Sequence, residues 1–219
     1  MSGTESLRPW AVRAKKHYSV REIYAITHDA VSSAGHFARL RRARGERYTE
    51  RIMLAVTEVN GCALCAYGHA RYALQAGLGA EEVRELLGGT STAVPDDQLA
   101  AIAFAQHYAD TRGRPDQHAW DRLVEAYGED DALGVLGAIR MIMWGNAVGI
   151  PYSSLLARLA GRADPGSTLR YETATILGTL GLVPAAAAHA VLSARRAGAA
   201  PRGRPESSVV RPAVAARRG

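Results

Sequence analysis

Cysteine is almost missing from this chain, with two in 219 residues. That scarcity excludes the disulfide framework that staples small secreted domains. Aromatic residues are also sparse, at 6%, and alanine and leucine dominate an apolar fraction of 47%. Such a composition favours helices over strands, and no segment reads as a strand. The N-terminus lacks the basic-then-apolar order of a signal peptide. No membrane span is expected, because the longest apolar candidate considered, 132–147, is interrupted by Arg140. A reducing, cytoplasmic setting follows as the expectation. Two isolated cysteines in such a setting point to catalysis or metal binding more than to structure.

The net charge is +6, but its placement argues against nucleic acid. One basic cluster is Arg39, Arg41, Arg42 and Arg44. Another runs through Arg195, Arg196, Arg202, Arg204, Arg211, Arg217 and Arg218. Neither interleaves with aromatics as single-strand binders do. Both read as solvated charge, the alternative being weak attraction to acidic partners.

Helical periodicity divides the chain. Residues 1–17 are expected to be loosely ordered. A helix is expected from Val20 to Arg44, stopped at Gly45. A second is expected from an N-cap at Thr49, with Ile52, Met53, Val56 and Val59 on one side. Asn60-Gly61 is a turn signal. Helices follow from near Cys62 to Gly77 or Gly79, over 80–87, after Pro95-Asp96-Asp97, and over 116–127. A long apolar helix from Asp130 or Asp131 is expected to end or kink at Gly149-Ile150-Pro151, with 153–159 as a continuation after it. Residues 161–167 read as a linker. Residues 169–195 read as a helix interrupted near Pro184, and the Ala/Pro/Gly/Arg stretch from Gly198 as disordered. The organisation expected is therefore a helical domain over 18–160, a helical extension over 161–197 and a tail over 198–219.

The chemistry-bearing stretch is Cys62-Ala63-Leu64-Cys65-Ala66-Tyr67-Gly68-His69. On a helix turning about 100° per residue, Cys62, Cys65 and His69 fall on one stripe, which continues through Ala66, Ala73 and Ala76. Cys65 and His69 are i, i+4 neighbours. Cys62 lies at the first turn, where free backbone N–H groups stabilise a thiolate. An acidic thiol attacks a peroxide or disulfide faster at neutral pH, and a neighbouring thiol captures the sulfenic acid. A zinc site could use Cys62, Cys65, His69 and a carboxylate, but the second cysteine pair of a common structural site is missing. Two buried structural cysteines with an incidental histidine are the remaining alternative.

The run from Thr49 to His69 resembles the carboxymuconolactone decarboxylase superfamily, and within it the alkylhydroperoxidase D-like branch. Glu50 stands twelve residues before Cys62, Cys65 completes the CxxC, and His69 follows four residues later. The likeness is judged to extend over about 18–160. It implies an all-α helical bundle that assembles as a trimer or a hexamer. It further implies that Cys65 attacks the peroxide, that Cys62 exchanges with an external dithiol reductant, and that Glu50 and His69 relay protons through water. In this picture Cys62 is the exposed thiol and His69 activates Cys65, whereas the helix-terminus argument makes Cys62 the more acidic one. Ala63 and Leu64 stand where some peroxidatic members carry a further histidine.

The expected activity is cofactor-free, metal-free hydroperoxide reduction, with neither nucleic acid nor membrane as partner. The alternatives are a decarboxylase-type lyase, which needs acid–base groups but no thiols, and a non-enzymatic redox-sensing oligomer. Spacing alone makes Glu50 an ordinary first-turn glutamate facing solvent, and Glu58 a second candidate carboxylate. His107, His118 and His189 read as structural or exposed. His28 and His36 lie on a helix that could cover the site. Met141, Met143 and Trp144 read as core, and Tyr67 and Asn60 flank the cysteines.

Overall fold

The computed structural model describes residues 14–199, and among them the chain is all-helical, with no strand. The elements are α1 (Val20–Asn60), α2 (Ala63–Gln75), α3 (Ala80–Leu87), α4 (Leu99–Asp110), α5 (Gln117–Tyr127), α6 (Glu129–Leu159) and α7 (Leu169–Ala199). A single 3-10 turn, Asp96–Gln98, precedes α4. The arginine-rich stretch from residue 200 and residues 1–13 lie outside the described residues.

Local chemistry sets the helix ends. Ser19 caps α1, its hydroxyl accepting from the Glu22 N–H while the Glu22 carboxylate accepts from the Ser19 N–H. Asp116 caps α5 by accepting from the Ala119 N–H at 2.7 Å. Gly61 ends α1 in the left-handed conformation (φ 71°, ψ 29°), its N–H donating to the carbonyls of Thr57 and Glu58. A side chain with a Cβ is strained there, so the glycine fixes the reversal that leads into Cys62.

Three expected boundaries differ. α1 breaks at Gly45 (φ 81°, ψ 175°), as the sequence indicates, but helix resumes at once. Thr49 is not an N-cap. Its hydroxyl donates to the Glu46 carbonyl at 3.0 Å, as a residue already inside a helix does. α6 continues through Pro151, and α7 through Pro184. Proline removes one helical donor but does not forbid helix where flanking turns remain bonded.

The second half of α1 is the axis of the fold. Every residue from Tyr48 to Asn60 is buried. Such a helix is enclosed on all sides rather than amphipathic, so the expectation of a single apolar side is corrected. α1 packs along α6, and also meets α2, α3, α4 and α7. The α1–α6 contact is close: a Cβ at Gly137 would lie 2.8 Å from the Phe37 backbone nitrogen. The polar residues of the central helix find partners on different neighbours. Arg51 bonds Glu82 and Gln98, Thr57 donates to Asn146 Oδ1 at 3.3 Å, and Asn60 Nδ2 donates to Met143 Sδ at 3.1 Å. Met143 is core, 1% exposed.

Residues 14–19 are not loose. The Lys16 N–H donates to the Asn60 carbonyl at 3.0 Å, and Tyr18 is buried with its hydroxyl donating to Asn60 Oδ1 at 2.8 Å. Arg112 donates to the His17 carbonyl at 2.8 Å. This strap follows the chain reversal before Cys62, a long-range pairing without local sequence signal.

α6 and α7 are both long and apolar enough to cross a membrane by length and composition. The longest apolar candidate is not 132–147, which Arg140 interrupts, but Thr173–Ala194 in α7, which carries no charged side chain, a correction to the sequence reading. The most apolar window of α6 is 61% buried, as a core helix should be, whereas that of α7 is only 17% buried.

Candidate functional site

α2 opens at the chain reversal with Cys62 itself as N-cap, in extended backbone conformation (φ −83°, ψ 95°). Its Sγ accepts the Cys65 N–H at 3.3 Å. A sulfur in this position meets the unpaired donors of a helix terminus, where negative charge is stabilised. The two sulfurs share the space above one Cα of α6. A Cβ built at Gly149 would lie 2.9 Å from Cys62 Sγ and 2.9 Å from Cys65 Sγ. Both thiols are free.

Their acidities are driven apart. The Cys62 thiol is held below its ordinary value, chiefly by the hydrogen bond from Cys65. The backbone N–H groups of Cys65 and Leu64 and the charge of Lys15 add to this, against the opposing effect of burial. The Cys65 thiol is pushed far up, first by donating that hydrogen bond to Cys62, then by burial and by the charge on Cys62. The pair thus holds one proton readily and releases it with difficulty. Exposure differs from the expected roles. Cys62 is 0% exposed, and Cys65 is the partly accessible thiol. The reason is positional. An N-cap residue at a tight reversal is covered by both flanking helices and by the strap, whereas a residue one turn on faces outward.

Glu50 and His69 form the second pair. His69 Nδ1 and Glu50 Oε2 are 2.8 Å apart. Glu50 is 9% exposed and so is not the solvated residue that spacing suggests. It lies on the all-buried half of α1, so every direction from that helix is inward. The Tyr72 ring packs edge-on against His69, with centroids 6.1 Å apart. With Nδ1 engaged by the carboxylate, Nε2 is the ring nitrogen left to exchange a proton. His69 makes no direct hydrogen bond to Cys65 among the described residues, so a proton passing between them needs an intervening group. The structure therefore brings the four residues together as two pairs, Cys62–Cys65 and Glu50–His69, with Cys62, Cys65 and His69 joined through α2.

Glu58 is buried one helical turn before the reversal, where its carboxylate lies against Gly89. His28 does not cover the cysteines. Its ring packs 5.0 Å from that of His189, whose Nδ1 is 2.8 Å from the Tyr24 hydroxyl. His36 pairs with Arg39, His107 with Asp116 and His118 with Arg122. Tyr67 is 49% exposed on α2. Among the described residues no three His, Cys, Asp or Glu side chains are arranged to hold a metal ion.

Sequence reasoning missed Gly149 and Lys15. Gly149 sits in the Gly-Ile-Pro stretch read as a helix stop, and a glycine inside an apolar helix is itself a sign of close approach. Lys15 carried no signal. Its Nζ donates to Ser154 Oγ at 2.9 Å and pairs with Asp164 at 3.1 Å, both distant in sequence.

The profile of the carboxymuconolactone decarboxylase family matches residues 35–107, about a third of the chain and narrower than the 18–160 expected. The match contains Glu50, Cys62, Cys65 and His69, while Lys15, Gly149 and α7 lie outside it. No curated protein and no solved structure matches this chain.

Proposed function

We propose that this chain is a thiol oxidoreductase of the alkylhydroperoxidase D-like kind, reducing hydroperoxides through a Cys62–Cys65 dithiol/disulfide cycle. The observation that carries the reading is the placement of two free sulfurs against the same Gly149 Cα, with the Cys65 N–H donating to Cys62 Sγ. The lowered pKa of Cys62 and the raised pKa of Cys65 support it.

In the resting pair Cys62 carries the charge and Cys65 the proton. The cycle starts when that proton crosses to Cys62, against the resting acidities, and leaves the accessible Cys65 as thiolate. Cys65 Sγ attacks the terminal peroxide oxygen, the O–O bond breaks, and the alkoxide takes a proton from the His69–Glu50 pair through water. Sulfur is oxidised to a sulfenic acid and the peroxide is reduced to an alcohol. Cys62 then attacks the sulfenic sulfur, its proton leaves with the hydroxyl as water, and the disulfide closes. An external dithiol of the reducing cytoplasm restores both thiols by exchange. The exposed apolar side chains Leu64, Tyr67 and Leu74 on α2, with Tyr152, Leu156 and Leu159 on α6, support homo-oligomer formation beside this site.

A lyase reading is favoured by one observation, the family description that matches residues 35–107. It would use the Glu50–His69 pair and leave the sulfurs idle. The double variant Cys62→Ser/Cys65→Ser separates the two. Loss of peroxide turnover supports the thiol cycle, and undiminished turnover of a lactone acid by that variant supports the lyase.

A further inference from the structure

α7 carries apolar residues all round. Its inward side buries Ala186 and Ala190 and is held by polar contacts: Glu172 is fully buried against Arg158, Thr175 is 2% exposed, and His189, at the exposed edge, bonds Tyr24. Its outward side is apolar. Leu177 is 66% exposed, Leu180 72% and Leu192 50%, with Gly181, Pro184, Ala185 and Ala188 exposed between them. From Thr173 to Ala194 the helix has no charged side chain. A helix facing water places charge outward, so a contiguous apolar face of this length marks a contact surface.

The charge distribution identifies the partner's chemistry. After Ala194 the sequence has seven arginines and one acidic residue, Glu206, which accounts for the whole net charge of +6. The other twenty basic and twenty acidic side chains cancel. The apolar face therefore leads directly into a strongly basic segment. Attachment to a lipid surface takes two such signals together, apolar burial at the acyl boundary and attraction to anionic headgroups. A second copy would bring the same basic segment and gain no charge complementarity. Nucleic acid would leave the leucines uncovered.

We propose that the outer face of α7 and the arginines following it dock this protein on an anionic lipid bilayer. The helix lies in the plane of the interface and does not span it, its inner face staying on α1 and α6 through Arg158–Glu172 and Tyr24–His189. This surface is independent of the chemistry at the cysteines.

Sedimentation of the full chain with vesicles tests it, comparing phosphatidylcholine alone with phosphatidylcholine containing phosphatidylglycerol. The expected result is binding to the anionic vesicles only, weakened about tenfold or more by raising the salt from roughly 0.1 M to 0.5 M. Leu177→Asn/Leu180→Asn, with unchanged helical circular dichroism, should reduce binding about tenfold. Arg202→Gln/Arg204→Gln/Arg211→Gln/Arg217→Gln/Arg218→Gln should abolish the preference for anionic lipid. No binding, or equal binding to neutral and anionic vesicles, overturns the proposal. So does a leucine variant that binds vesicles normally while dissociating an oligomer in lipid-free buffer, which would assign the face to a second copy.

Discussion

Glu50 and His69 are nineteen residues apart in the chain and sit on different helices, and their side chains meet at 2.8 Å with Glu50 nearly buried. A carboxylate held against an imidazole in this way orients the ring and leaves one nitrogen for proton exchange. Glu50→Gln keeps the shape and removes the charge. The expected outcome is a fall in peroxide turnover of about 10²-fold or more, with thiol content and helicity unchanged, read by stopped-flow oxidation of the reduced protein. Turnover within about twofold of the parent would remove the pair from the mechanism.

The two thiols should titrate as a unit. Cys62 lies below the ordinary thiol value of about 8.5 and Cys65 far above it. As pH rises, the lowered group deprotonates first, and its charge opposes loss of the second proton. Thiolate absorbance near 240 nm should therefore rise by one equivalent below that ordinary value and by no second equivalent until strongly alkaline pH. Cys65→Ala removes the largest stabilising contact and should raise the Cys62 value by about one unit or more. Lys15→Gln should raise it less, since Lys15 is the smallest of the lowering influences. Two equivalents released together would contradict the arrangement.

Gly149→Ala puts a methyl group where both sulfurs lie, 2.9 Å from each. Alanine favours a helix interior by about 1 kcal/mol, and an off-rotamer side chain costs about 0.5–1.5 kcal/mol, so global stability should change little. The sulfurs themselves must separate. The expected result is a near-parental thermal midpoint with disulfide closure slowed at least about tenfold, measured by loss of free thiol after peroxide addition. Unaltered closure would show that the sulfurs do not need that space.

Tyr18→Phe removes the hydroxyl that donates to buried Asn60 Oδ1. An acceptor left unpaired at that depth costs about 1–3 kcal/mol. The urea midpoint should fall accordingly, by way of the strap rather than the thiols. A midpoint unchanged within error would show that residues 14–19 contribute little to the fold.

Much of this architecture is legible in local sequence. The helix starts at Asp116 and after Cys62, the stop at Gly61 and the break at Gly45 are all backbone chemistry confined to a few residues. The stripe joining Cys62, Cys65 and His69 needs only helical spacing. What spacing does not give is enclosure. Glu50 reads as solvated because a single helix has an apparent outside, and only the surrounding α2, α3, α4, α6 and α7 turn α1 into an axis without one. For the same reason the exposure of the two thiols is reversed from expectation, since part of the cover over Cys62 comes from residues more than forty positions away, the strap before α1 and Gly149 on α6. Pro151 and Pro184 show the opposite limit. Their local preference to end a helix yields to the hydrogen-bonded turns on either side, at buried Pro151 and at exposed Pro184 alike.

The most direct measurement is chemical. The reduced protein is treated with one equivalent of an organic hydroperoxide and digested, and the cysteine peptides are weighed. The account predicts a stoichiometric Cys62–Cys65 disulfide, one equivalent of alcohol, and a trapped sulfenic acid on Cys65 in the Cys62→Ser variant. Free thiols persisting on both residues, or peroxide consumed equally by the double serine variant, would contradict it.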